Sequence, residues 1–146
     1  MKRYNPSEIE PKWQQIWTDD QRYKAPDASD KPKYYVTGMF PYPSGAGMHT
    51  GHFMEHSIVD GLARFRRALG HNVMYPMGFD SFGLPAENYA IKTGKKPQET
   101  TATNIANFKN QLRRVGASID WSREVNTADP AYYKWTQWVF TQLFER

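Results

Sequence analysis

The chain has 146 residues and no cysteine, so it suits one compact domain, and disulfides and cysteine-ligated zinc are excluded within it. It is 39% hydrophobic and 15% aromatic, with five Trp, nine Tyr and eight Phe, which is enough for a packed core and argues against disorder. The net charge of +4 is mild and scattered, in the groups Arg64/Arg66/Arg67, Lys92/Lys95/Lys96 and Arg113/Arg114, which fit a polyanionic partner or simply solvated helix faces.

In chain order, the first predicted element is a helix over about Asn5 to Trp17. Asn5 is a capping residue, Pro6 suits the first helical position, and Glu8 is spaced to reach back to the cap. Ile9, Trp13, Ile16 and Trp17 then fall on one face. A polar, proline-containing loop follows from Thr18 to Lys33. Tyr34 to Met39 reads as a buried strand, and Phe40 to Met48 as a turn-rich loop. A second helix begins near Gly51, with Ile58, Leu62, Phe65 and Leu69 as its core stripe and Gly70 as its stop. Asn72 to Met77 is the second strand.

Strand, glycine-containing loop, helix and strand make a βαβ unit, for which parallel strands and a right-handed crossover are expected. Gly78 to Glu87 is then a loop at the end of the second strand. A third helix is predicted from about Thr101 to Val115, with Ile105, Phe108, Leu112 and Val115 on one face. A last helix starts at Asp129-Pro130 and carries Trp135, Trp138, Val139 and Phe144 to the end of the chain, without a stop signal. No stretch reaches the roughly 18 apolar residues of a membrane helix, and Met1-Lys2-Arg3 precedes Tyr4-Asn5-Pro6 rather than an apolar run, so a cytoplasmic location is expected.

The feature richest in chemistry is His49-Thr50-Gly51-His52, where the first strand feeds the second helix. A helix start presents unpaired N–H groups and the positive end of the helix dipole, and it attracts phosphate. Gly45, Gly47 and Gly51 would let backbone approach a ligand, and two imidazoles would add donors for charge growing on a phosphate. His52 and His56, four apart on a helix beside His49, also have the spacing of part of a metal site, although only imidazoles are on offer. Asp80, in a loop at a strand's carboxyl end, stands where doubly wound sheets hold ligands. Between Gly and Ser-type neighbours an aspartate also serves as an ordinary turn residue.

The run Phe40-Pro41-Tyr42-Pro43-Ser44-Gly45-Ala46-Gly47-Met48-His49-Thr50-Gly51-His52 resembles the signature of class I aminoacyl-tRNA synthetases in its leucyl form. Gly78-Phe79-Asp80-Ser81-Phe82-Gly83-Leu84-Pro85-Ala86-Glu87 is similar to the family's second motif, with Phe79 for the usual Trp, Ser81 for the usual Ala, and Phe82 where isoleucyl and valyl relatives have His. The segments Tyr4–Trp17, Asp120–Thr127 and Tyr132–Trp138 extend the resemblance over nearly the whole chain. Phe53-Met54-Glu55-His56 departs from the family's common pattern.

The resemblance implies an α/β fold, a partial Rossmann-like nucleotide-binding domain with parallel strands and flanking helices. Residues 1–33 would be an N-terminal helix and loop, and 34–146 the first half of the catalytic domain. It implies a leucine–tRNA ligase that joins leucine to ATP as leucyl-adenylate and passes it to tRNA(Leu), with Mg2+ accompanying the ATP. His49 and His52 would be catalytic. Gly47, His49, Thr50, Gly51 and His52 would bind ATP, and Met39, Phe40, Tyr42 and Asp80 would bind leucine, with no protein-bound metal. The family's lysine-rich loop, editing insertion and anticodon-binding helices have no counterpart here, so the chain is expected to be an amino-terminal portion that charges little or no tRNA alone. Two other readings stay open. One is a small nucleotidyltransferase using the same H-x-G-H turn. The other is a non-catalytic binding module with Trp135 and Trp138 as exposed anchors.

Overall fold

The computed structural model describes residues 3–43 and 45–146; Ser44 of the first motif, with Met1 and Lys2, lies outside them. The elements are α1 (Pro6–Asp19), β1 (Lys33–Tyr35), α2 (Thr50–Ala68), β2 (Asn72–Met74), β3 (Gly78–Phe79), α3 (Leu84–Thr93), α4 (Pro97–Arg114), a short 3-10 turn (Trp121–Arg123), β4 (Val125–Asn126) and α5 (Pro130–Phe144). β1 pairs parallel with β2 in the register Lys33↔Asn72, Tyr34↔Val73, Tyr35↔Met74, and α2 is the crossover between them. β3 pairs parallel with β4 through Gly78↔Val125 and Phe79↔Asn126. The βαβ unit expected from the sequence is therefore present.

The centre of the molecule is the extended segment from Asn72 to Phe79. Val73, Tyr75, Met77 and Phe79 alternate along it, and all four are buried. It is not one strand to Met77 as expected, because it changes partners midway. Beyond Met74 the Tyr75 carbonyl accepts from Asp120 N–H (2.8 Å), the Met77 carbonyl from Val125 N–H (3.0 Å) and the Phe79 carbonyl from Thr127 N–H (3.1 Å). Buried backbone groups must find partners, and here two different segments supply them in turn. Ile105, Phe108 and Leu112 of α4 and Ala63 of α2 close the core over this segment.

Several elements differ from expectation for physical reasons. Asn5 flanks α1 but makes no side-chain cap bond, and its carbonyl instead accepts from Glu8 N–H and Ile9 N–H at 3.3 and 3.1 Å. Only Ile16 and Trp17 of the expected α1 face are half-buried, while Ile9 and Trp13 stay exposed. β1 is shorter than Tyr34–Met39 and is not a buried strand. Among the described residues it has β2 as its single neighbour, and Tyr35 and Met39 are exposed. The last residues of the expected Gly78–Glu87 loop instead open a helix, with Pro85 in the first turn of α3, a position that suits proline.

The largest correction concerns α2. Its expected core stripe of Ile58, Leu62, Phe65 and Leu69 is exposed along its whole length. At 3.6 residues per turn, the buried His56 and Ala63 lie on nearly the opposite side, with Phe53 and Val59 packed against the core beside them. The small Ala63, with no exposed surface, lets the helix approach the sheet closely. On α4 the expected Ile105, Phe108 and Leu112 are buried, but Val115 caps the helix and is 62% exposed. α5 begins as expected, with Asp129 accepting from Ala131 N–H at 2.8 Å, while Trp135, Trp138, Val139 and Phe144 are all exposed.

Candidate nucleotide and amino-acid site

The two histidines cap α2 reciprocally. His49 stands at the N-cap, and its Nδ1 accepts from Gly51 N–H at 3.1 Å. His52 sits three positions on, and its Nδ1 accepts from His49 N–H at 3.2 Å. This is the logic of a capping box, with imidazoles replacing hydroxyl and carboxylate. It explains why the motif needs this spacing. A ring whose Nδ1 accepts carries its proton on Nε2 when neutral, so each histidine keeps an Nε2–H donor for a ligand. The rings stack with centroids 3.7 Å apart and planes 23° from parallel.

Gly51 leaves room for this pair. A Cβ there would stand 3.0 Å from His49 Cε1, so the residue between the histidines makes room for the ring. At Gly47 the close neighbour is Gln111 Nε2, 2.9 Å from a built Cβ. At both glycines the missing side chain thus makes room for a protein neighbour, and the backbone itself stays uncovered by a Cβ.

The loop before the histidines is held by α4 in a way sequence reasoning missed. Asn104 Nδ2 donates to the Pro43 carbonyl (2.8 Å), Asn107 Nδ2 donates to the Ala46 carbonyl, and Gln111 Oε1 accepts from Met48 N–H (2.8 Å). The available signal was three amide side chains at i, i+3 and i+7 beside the apolar stripe of a helix. On its other side the same loop is tied to α2, where Glu55 Oε1 accepts from Met39 N–H.

Asp80 follows β3, and its N–H donates to the Pro41 carbonyl at 3.0 Å, which joins the two motifs directly. Thr127 Oγ1 organises the turn. It donates to Asp80 Oδ1 (3.2 Å) and accepts from Ser81 N–H (2.9 Å) and Phe82 N–H (3.2 Å). A shallow depression lined by Tyr42, Asp80, Phe82 and Gly83 brings Tyr42 and Asp80 together. Phe40 instead lies over Gly78, where a built Cβ would come within 2.1 Å of its ring. Met39 is 74% exposed and does not line this depression.

His56 does not join the other two histidines. It is 3% exposed and its Nδ1 is 3.2 Å from Tyr75 Oη in the core. Among the described residues no group of three or more His, Cys, Asp or Glu side chains is arranged to hold a metal. Of the basic groups, Arg64 bonds Asp60 (2.7 Å) and the Gly116 carbonyl (2.6 Å), and Arg67 donates to Ser118 Oγ (2.6 Å). These two arginines brace the fold, whereas Lys92, Lys95 and Lys96 are exposed.

Burial lowers the pKa of His56 below the usual imidazole value, partly opposed by Glu55. His52 is lowered too, by desolvation first and by His49 second, again against Glu55. Both shifts favour the neutral ring in the folded chain. As pH falls below the ordinary value of about 6.5 the unfolded chain takes up these protons first, so stability declines until the depressed folded values are passed. The urea midpoint is therefore expected to be lower at pH 5 than at pH 7.5, and the gap to shrink in His56→Gln. An equal gap in that variant would remove His56 from the account.

Comparison with known proteins fits this geometry. The family described as tRNA synthetases class I (I, L, M and V) matches residues 12–146. This chain belongs to that family. It is 57% identical over 144 residues to a leucine–tRNA ligase of Protochlamydia amoebophila (strain UWE25), covering 99% of this chain and 17% of that relative. Its fold is similar to the agnB2 LeuRS of Agrobacterium radiobacter K84, solved as a ternary complex with tRNA and LeuAMS, with TM-score 0.90 and 38% identity over 98% of this chain and 18% of that one. The methionyl-tRNA synthetase of Mycobacterium tuberculosis, solved with methionyl-adenylate, matches 70% of this chain and 20% of its own at 29% identity and TM-score 0.65. The class I, Rossmann-like α/β fold inferred from the motifs is thus established, as is the likeness to leucyl enzymes. No described helix is long and apolar enough to cross a membrane.

Proposed function

We propose that this chain carries the leucine- and ATP-binding groups of a leucine–tRNA ligase. The observation that carries the reading is the direct joining of its two motifs: Asp80 N–H bonds the Pro41 carbonyl, in the loop that leads into the stacked histidines. In the reaction, a carboxylate oxygen of leucine attacks the α-phosphorus of ATP, pyrophosphate leaves, and leucyl-adenylate forms. A hydroxyl of tRNA(Leu) then attacks the leucyl carbonyl and AMP departs.

His49 and His52 offer Nε2–H donors to phosphate oxygens as charge grows on them. Gly47, Thr50 and Gly51 form the ATP-facing backbone around them. Asp80 takes the leucine ammonium group, with Tyr42 beside it in the depression and Phe40 packed over the neighbouring Gly78, while Met39 lies outside the depression. Mg2+ is expected on the triphosphate, as it is commonly bound through substrate phosphates rather than an all-protein cage. A cytoplasmic site of action goes with this role.

The test is leucine-dependent exchange of pyrophosphate into ATP by the full-length product of the gene encoding this chain. Exchange that ignores leucine would favour the nucleotidyltransferase reading instead. Asp80→Asn is expected to raise the KM for leucine about 10- to 100-fold, through loss of a charge-assisted bond, and to leave the KM for ATP nearly unchanged. An unchanged leucine KM would remove Asp80 from the amino-acid site.

A further inference from the structure

We propose that Asn104, Asn107 and Gln111 of α4 are positioning residues for the ATP half of the site. The proposal rests on the function proposed above and adds to it a part of the molecule far along the chain. The three amides lie on one edge of α4, and each takes a different backbone group of the loop: the Pro43 carbonyl, the Ala46 carbonyl and the Met48 N–H. Together they fix the path of the chain into His49, and with it the height at which the N-terminus of α2 meets a phosphate.

Two contacts make the arrangement tight. A Cβ on Gly47 would collide with Gln111 Nε2 at 2.9 Å, so the loop lies directly on that side chain. Met48 is 8% exposed and belongs to the core, which anchors the loop's last residue before the histidines. α4 also supports the pair from beneath, since the Phe108 ring lies 6.2 Å from that of His52. The buried Thr101, Ile105, Phe108 and Leu112 hold α4 in place, so its amide edge is a rigid template for the loop. Between the buried Pro43 and Met48, residues 45–47 are Gly-Ala-Gly, with a single methyl group to pack. Without the amides its carbonyls and N–H would turn to water, and the entry into α2 would take many conformations.

The experiment compares Gln111→Met, similar in length but with no oxygen to accept from Met48 N–H, with the unaltered full-length protein in leucine-dependent pyrophosphate exchange. The KM for ATP is expected to rise about tenfold, with the leucine KM and the melting temperature little changed, and hydrogen exchange at the Met48 amide to accelerate. Faster Met48 exchange with an unchanged ATP KM would overturn the proposal, as would an equal rise in both KM values. If Gln111→Met does not fold, Asn104→Leu, which removes the donor to Pro43, carries the same reading. Absence of leucine-dependent exchange in the unaltered protein would instead defeat the proposed function, so the two failures are distinguishable.

Discussion

His52→Ala is expected to lower the rate of leucine-dependent pyrophosphate exchange by about 10²- to 10³-fold, the size of effect seen when one preorganised donor to a developing charge is removed. The structure shows this residue in the cap of α2, and the proposed function adds a second role with a separate signature. Its Nδ1 accepts from His49 N–H, and its ring stacks on that of His49 at 3.7 Å. Its Nε2–H remains for the ligand. Replacing it with alanine removes the donor and also releases the cap of α2, at a cost typical of a lost cap, about 1 kcal/mol. A mere capping role would lower the melting temperature, and any loss of kcat that went with it would be recovered by a residue that restores the cap. The decisive measurement is kcat beside thermal unfolding for His52→Ala and His52→Asn, since asparagine at that position can still accept from His49 N–H. A kcat restored by asparagine would show that the cap, and not the Nε2 donor, is what exchange requires.

Phe108→Ala is expected to destabilise the chain by about 3–5 kcal/mol, in the range for a large aromatic removed from a packed core. Phe108 is 1% exposed and belongs to the main core cluster. Its ring lies 6.5 Å from that of Phe79 at 64°, an edge-to-face arrangement that adds to simple burial. It also lies 6.2 Å from the ring of His52. Urea unfolding should show a lower midpoint at unchanged slope, and Phe108→Leu should lose clearly less. A loss below about 1 kcal/mol in the alanine variant would mean that α4 is not the lid of this core. Since native domains hold only about 5–15 kcal/mol in reserve, the larger loss would leave little folded protein near physiological temperature.

How far these residues were legible in advance depended on whether their partners were near in sequence. The place of His49 and His52 at the start of α2 was legible, because a strand-to-helix turn is a local pattern, but their reciprocal capping was not read from the spacing. The start of α5 at Asp129-Pro130 and the core stripe Ile105, Phe108 and Leu112 of α4 were legible for the same reason. The stripe Ile58, Leu62, Phe65 and Leu69 misled. Periodicity reports that a helix has an apolar face, but not that another face, here Phe53, His56, Val59 and Ala63, will be the one to pack. What the sequence did not show at Gly47 and Gly51 is which protein groups lie beside them: Gln111, distant in sequence, and the His49 ring.

The sequence by itself determined the family, through two motifs whose order and residue types are specific. It also determined the βαβ start of the fold, and the two histidines and Asp80 are the site residues proposed from it. Only the tertiary structure decided that the extended segment from Asn72 to Phe79 changes partners midway, that His56 turns inward to Tyr75, and that three amides of α4 hold the loop leading to His49. Each of these depends on which chain segment supplies a buried polar group with its hydrogen bond. That choice is made among segments distant in sequence, and no local pattern records it.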